Sequence, residues 1–307
     1  MTSDSPDISA YKDAQAKLLD RFGLAAQSRF LALKDPRTRI HVLDAGSGDP
    51  ILFIHGGAGV GAEIMPLAAR FASHRIIIPD RPGHGLSDAF DVRRVNLRRM
   101  NVAFVTGLLD ALGVERADLV SSSFGTFMAL SFAIAHPDRV GRIAVVGSFP
   151  GFGTSIHPML RLMGTPIVSS ILQAVTPPSL EGTRAFFGTL LVKHIDRMPA
   201  ELVELETLNG KLHGRCIARL FRAGISPLGW RSRYDLAPEM ISVRVPTLLA
   251  WGDADAMWPI THAERVAKAM PNARLTVIRD AGHMPWIDQL DETSEIVRAF
   301  LVPAESV

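Results

Sequence analysis

The chain has 307 residues, 47% of them hydrophobic and 21% charged, a globular composition with enough chain for a sizeable core in two domains or in one large α/β domain carrying an insertion. Its 33 basic residues stand against 31 acidic ones, which argues against a nucleic-acid binder, since those concentrate a basic surplus. Cys216 is the single cysteine, so an internal disulfide and a multi-cysteine metal site are excluded and nothing calls for an oxidising compartment.

Residues 1 to about 27 read as an amphipathic helical lead-in, with Tyr11, Ala14, Leu18, Leu19 and Phe22 at helical spacing. Its first fifteen residues are polar and lack the apolar stretch of a signal peptide, so the cytoplasm is the expected compartment. Beyond it, short β-branched runs alternate with longer helical segments. The strand candidates are Arg39–Asp44, Ile51–His55, Arg75–Pro79, Ala117–Ser121, Arg142–Val146, Thr247–Trp251 and Leu275–Ile278. Several are apolar almost throughout, as strands covered on both faces by helices must be. Asn101–Leu112 and Phe124–Ala135 are helical in pattern. The alternation predicts an α/β fold with a mostly parallel central sheet flanked by helices.

From Phe149 to about Asp235 the rhythm breaks: helical patterns continue without a convincing strand. Between Ile143 and Leu180 the one fully charged residue is Arg161. Such a segment is either a buried helical layer or a lid whose inner face lines an apolar pocket. Leu162–Leu180 is uncharged, yet Gly164, Pro166 and the pair Pro177-Pro178 would break a helix in lipid, so no membrane span is expected. The expected division is a helical extension over 1–35, a core formed by 36–148 and 236–307, and a helical cap over 149–235.

Ser121-Ser122-Ser123-Phe124-Gly125 lies between the strand candidate Ala117–Ser121 and a helix of small residues, the setting of a nucleophile elbow. A sharp turn there forces small neighbours on Ser123. Gly125 meets that demand, and Ser121 stands where glycine is usual. A serine hydroxyl needs a base to take its proton, and the base needs an acid to fix its tautomer. Asp255 and His283 follow in that order, each just past a strand candidate, where open α/β sheets gather their ligands. Asp253 is the alternative acid. Upstream, His55-Gly56-Gly57-Ala58-Gly59 follows a strand directly, and its glycines let a backbone N–H face a developing oxyanion. Gly57 is the first donor, Ala58 its nearest competitor, and the Phe124 N–H the second. Trp258 and Met284 flank the acid and base loops and, with Ala58, are assigned to the substrate pocket.

These residues resemble the α/β-hydrolase superfamily from about Arg39 to Leu301, a resemblance that also includes Asp80-Arg81-Pro82-Gly83-His84-Gly85-Leu86-Ser87. It implies an α/β-hydrolase fold with an inserted helical cap and a serine hydrolase that needs no metal or organic cofactor. The expected partner is a small to medium hydrophobic ester, lactone or thioester; a homodimer is left open. Ser123 argues against the aspartate-nucleophile branches, the haloalkane dehalogenases and epoxide hydrolases. The carbon–carbon hydrolases of aromatic catabolism share the length, the His-Gly-Gly segment and the cap placement. That family usually has asparagine before the serine, tryptophan after the histidine and a cap arginine; here those positions read Ser122, Met284 and Glu206, leaving Arg215, Arg219 or Arg222 as a substitute cation. A ligand receptor on the same fold is the non-catalytic alternative.

Gly57-Ala58-Gly59-Val60-Gly61-Ala62 also matches the dinucleotide fingerprint G-x-G-x-x-A, with Asp80 eighteen residues on. That reading leaves Ser123, Asp255 and His283 unexplained and is set aside. Arg93, Arg94, Arg98 and Arg99 read as a solvated basic face. Cys216 lacks the histidine and acid of a nucleophile's setting.

Overall fold

The computed structural model describes residues 5–93, 95–166 and 176–302. Its first half runs α1 (Pro6–Phe22), β1 (Ala26–Lys34), β2 (Arg37–Ala45), β3 (Pro50–Ile54), α2 (Met65–Ala68), β4 (Arg75–Pro79), α3 (Leu97–Ala111), β5 (Ala117–Ser121), α4 (Phe124–Ala135) and β6 (Val140–Val146). Then follow α5 (Pro158–Gly164), α6 (Leu180–Leu190), α7 (Ala200–Gly224) and the two-residue strands β7 (Ile225–Ser226) and β8 (Gly229–Trp230). The chain closes with β9 (Thr247–Gly252), α8 (Ile260–Ala269), β10 (Ala273–Ile278), α9 (Pro285–Asp288) and α10 (Leu290–Leu301).

Eight strands form one sheet in the order β1-β2-β4-β3-β5-β6-β9-β10. The first two pairings are antiparallel and the remainder parallel. Six neighbouring strands therefore end on one edge of the sheet: β4, β3, β5, β6, β9 and β10. Successive residues of each strand point to opposite faces, and the core divides accordingly. Leu52, Ile54, Leu119, Ile143, Leu249 and Trp251 pack with α3, α4 and α8. Ile51, Phe53, Val120, Ala144, Leu248 and Ala250 pack with α1, α2 and α10. This two-sided cover is why those strands read as continuous apolar runs.

All seven expected strands are present; the eighth strand of the sheet, β1, was not foreseen, nor was the β7–β8 ribbon. The lead-in is helical over Pro6–Phe22 only, capped by the Ser5 side chain at one end and by Gly23, at a φ of 62°, at the other. Ala26–Lys34, expected to belong to a helical extension, is instead β1, paired with β2 from Ala26↔Ala45 to Lys34↔Arg37. The pairing, rather than the strand's own burial, makes it a strand: Leu33 is its one fully buried residue.

Between β6 and β9 the regular elements among the described residues are helical apart from the β7–β8 ribbon. The long helix α7 packs against α1, α5 and α6. Part of the uncharged stretch from Leu162 to Leu180 lies outside the described residues. Among those described, no helix is long and apolar enough to cross a membrane.

Candidate active site

The turn after β5 holds Ser123 at φ 51° and ψ −124°, a conformation that costs a non-glycine residue about 1–3 kcal/mol. The turn is held by Ser122 N–H donating to Ile54 O at 3.1 Å and Gly125 N–H to Ser122 O at 2.8 Å. A Cβ at Gly125 would lie 2.3 Å from Ile54 O and 2.6 Å from His55 O, so only glycine lets α4 start this close to β3. Ser121, in the place of the usual glycine, is fully buried and accepts a hydrogen bond from Thr126 Oγ1 at 3.1 Å. Its hydroxyl braces the turn from behind.

His283, in the loop after β10, lies with Nδ1 3.0 Å from Asp255 Oδ2. Asp255 comes from the loop after β9, and its Oδ1 accepts the Met257 N–H at 2.8 Å. Burial by itself would raise this carboxyl. The adjacent His283 outweighs it, together with hydrogen bonds from His283, Ser148 and the Met257 N–H, and Asp255 sits below its ordinary value. With Nδ1 committed to Asp255, Nε2 is the free nitrogen of the ring. Asp253 points elsewhere, accepting the Ala281 N–H at 3.4 Å.

Sequence reasoning missed Ser148, just past β6. Its N–H donates to Asp255 Oδ2 at 3.1 Å and its Oγ lies 2.8 Å from His283 Nδ1. The preceding Gly147, at φ 85°, brings this loop so near that a Cβ would meet His283 O at 2.2 Å. The available signal was a polar residue at the end of a strand, where Ser123, Asp255 and His283 also stand.

Gly57, Ala58, Ser123, Phe124, Trp258, His283 and Met284 all line one cavity, with Asp255 behind His283. Ser123 Oγ has no hydrogen-bond partner among the described residues, and the N–H groups of Gly57, Ala58 and Phe124 have no acceptor there. Apolar walls come from Ile156, Leu160, Phe186, Phe187, Leu220, Phe221 and Trp230. No lysine or arginine is among the described lining residues; Arg215, Arg219 and Arg222 all stay outside.

The acid on the wall is Glu63, which sequence reasoning also missed. It is 5% exposed and accepts the Gly56 N–H at 2.6 Å. Burial pushes its carboxyl up to about 7, against the opposing pull of that N–H, Arg81 and His283. Behind it Glu206, on α7, accepts the Val60 N–H at 3.2 Å. Burial, and then Glu63, hold Glu206 well above the carboxylate range.

The dinucleotide fingerprint dissolves on inspection. Gly61 opens a 3-10 turn followed by the four-residue α2. Asp80 is buried and accepts the N–H groups of Gly61 and Leu86, at 2.8 and 2.9 Å, with His41 Nδ1 at 2.8 Å. In the basic cluster, Arg93 pairs with Asp91 and Arg98 with Glu239, while Arg94 lies outside the described residues.

A strained serine on a strand-to-helix turn, with a histidine–aspartate pair at the same sheet edge, defines a hydrolase architecture, and residues 51–296 match the model of the alpha/beta hydrolase family. The chain belongs to that family. It is 30% identical over 271 residues to a 2-hydroxy-6-oxo-6-phenylhexa-2,4-dienoate hydrolase of Burkholderia cepacia, covering 86% of this chain and 91% of that one. Among solved structures it resembles naproxen esterase from Bacillus subtilis (TM-score 0.76, 18% identity, 97% of this chain and 99% of that one). It also resembles a meta-cleavage product hydrolase from Pseudomonas fluorescens IP01 (TM-score 0.70, 23% identity, 89% and 97%).

Proposed function

We propose that the protein is a serine hydrolase of neutral, hydrophobic esters or lactones, with residues 149–235 as a cap over a core of 36–148 and 236–307. Ser123 Oγ attacks the substrate carbonyl while His283 Nε2 takes its proton. Asp255 fixes the imidazole tautomer and stabilises the imidazolium. The N–H groups of Gly57 and Phe124 receive the oxyanion, and Ala58 lies next to them on the cavity wall. His283 then protonates the leaving oxygen, the acyl group stays on Ser123, and a water activated by His283 releases it as the acid. This sequence needs neither metal nor organic cofactor.

The observation that carries this reading is the cavity itself. Its reacting groups are Ser123 and His283, and its described side-chain walls, Trp258 and Met284 included, are aliphatic or aromatic save for Glu63 and Ser122. A carboxylate-bearing substrate would meet an acid and no cation, whereas a neutral acyl chain is recognised by burial. Carbon–carbon bond hydrolysis is the second reading, favoured by the similarity to the dienoate hydrolase of Burkholderia cepacia. It would use the same serine, histidine and aspartate.

A turnover screen decides between them: p-nitrophenyl esters of graded chain length, several lactones and one meta-cleavage dienol acid, with wild type beside Ser123→Ala. The expected result is ester or lactone turnover that falls by about 10⁴-fold or more in Ser123→Ala. Turnover of the dienol acid alone would establish the second reading, and equal rates in the two proteins would overturn both. The proposed compartment is the cytoplasm; light scattering on the purified protein would separate a monomer from the homodimer left open.

A further inference from the structure

Arg81 follows β4 and lies beneath the glycine loop, 2% exposed. Its guanidinium is committed to backbone rather than to a carboxylate: Nη2 donates to Gly56 O and, at 3.2 Å, to Gly57 O. Nε is buried without a partner, and Cζ stands 5.1 Å from the centre of the Phe124 ring. Glu63 is near enough to favour the charge but makes no ion pair with it, and burying a cation without a direct carboxylate partner is costly. An apolar side chain would fill the same space more cheaply, so the charge calls for a function.

The two carbonyls it holds belong to the loop expected to supply an oxyanion donor. In a trans peptide the C=O and the following N–H point in opposite directions. The Gly56–Gly57 peptide is trans; among the described residues the cis bond is Asp35-Pro36. Gripping Gly56 O from the core side therefore turns the Gly57 N–H the other way. His84 reinforces the grip, with Nε2 3.0 Å from Gly57 O. The other donor belongs to Phe124, whose ring rests against the same guanidinium.

We propose that Arg81 is the positioning residue of the oxyanion hole: it aims the Gly57 N–H through the Gly56 carbonyl, steadies the next peptide through the Gly57 carbonyl, and places a positive charge under both donor residues. The inference rests on the serine-hydrolase reading. Charge develops on the substrate oxygen only as the tetrahedral intermediate forms, so the contribution falls on kcat rather than on ground-state binding.

The test compares wild type, Arg81→Met, Arg81→Lys and Ser123→Ala on the best ester of the screen. Two inhibitors of matched chain length are added: a trifluoromethyl ketone, which Ser123 converts to an oxyanion adduct, and the corresponding alcohol, which it does not. In Arg81→Met, kcat should fall by about 10²-fold, the order seen when one oxyanion donor is removed, with KM little changed. Affinity for the ketone should fall in proportion while that for the alcohol holds. If Arg81→Met does not fold, Arg81→Lys carries the same comparison, since it keeps the charge and loses the fork. A kcat indifferent to Arg81, or ketone and alcohol weakened together, would overturn the assignment while leaving the Ser123 chemistry standing. Equal rates in wild type and Ser123→Ala would remove the serine-hydrolase reading and Arg81's role with it.

Discussion

Ser123 keeps its strained backbone because the residues around it leave no relaxed alternative: Ser122 is tied to Ile54, and Gly125 lies flat on the end of β3. Gly125→Ala should therefore destabilise the protein more than a helix glycine's replacement would suggest. The helix preference for alanine favours the change by up to about 1 kcal/mol, but the new Cβ would meet two backbone carbonyls that cannot move independently. A lowered melting temperature is expected, and an unchanged one would show that the elbow relaxes. At this scale the sequence was eloquent where chemistry imposes a spacing. Ser123, Asp255 and His283 stand in motifs that end strands. Ser148 and Arg81 also follow strands, but with Glu63 they acquire their parts only through contacts with distant loops, as Ser148 does when Gly147 admits His283.

Among the elements, the short α9 does more than its length suggests. Its last residue, Asp288, is 1% exposed and accepts three N–H groups: Gly282 at 2.7 Å, Lys193 at 3.0 Å and His194 at 2.7 Å. It thereby ties the loop of His283 to the segment after α6. Asp288→Ala strands three donors, and stranding even one buried group costs about 1–3 kcal/mol. Both the melting temperature and kcat should drop, the latter measured well below the melting point so that only the loosened His283 loop is sampled. Wild-type values for both would refute this bracing role. The elements themselves were mostly legible, because strands covered on two faces announce themselves as apolar runs. The exception, β1, is an edge strand whose residues Ala26 to Ala32 are exposed or half-buried, so its hydrophobic pattern is faint and the antiparallel partner that defines it is invisible in a linear reading.

For the molecule as a whole, Glu63 predicts an uncommon pH response. Its carboxyl is held up to about 7, against 4.5 unperturbed, so the folded state binds this proton more tightly than the unfolded chain. Stability is then fully present below the unfolded value, falls as pH rises through the folded one, and levels off above it. The loss is on the order of 3 kcal/mol, and Glu206, raised in the same direction, adds to it. Urea midpoints should decline from about pH 5 to 7.5, and Glu63→Gln, which preserves an acceptor for the Gly56 N–H, should flatten that decline. A curve identical to wild type would place the ionised carboxylate in the folded protein throughout.

Helix α7 reaches the core through three polar side chains. Glu206 holds the Val60 N–H. Asn209 donates to Ala58 O at 2.8 Å and accepts the Gly85 N–H at 3.0 Å, and His213 Nε2 lies 2.8 Å from Gly85 O. The loops beside Gly57 are thus shaped jointly by the helix above and the sheet below. A foreign segment grafted in place of the proposed cap, 149–235, would carry its own walls and leave those loops without their upper anchors. Replacing the proposed cap to change substrate range should therefore keep Glu206, Asn209 and His213, whose hydrogen bonds join α7 to the loops around Gly57.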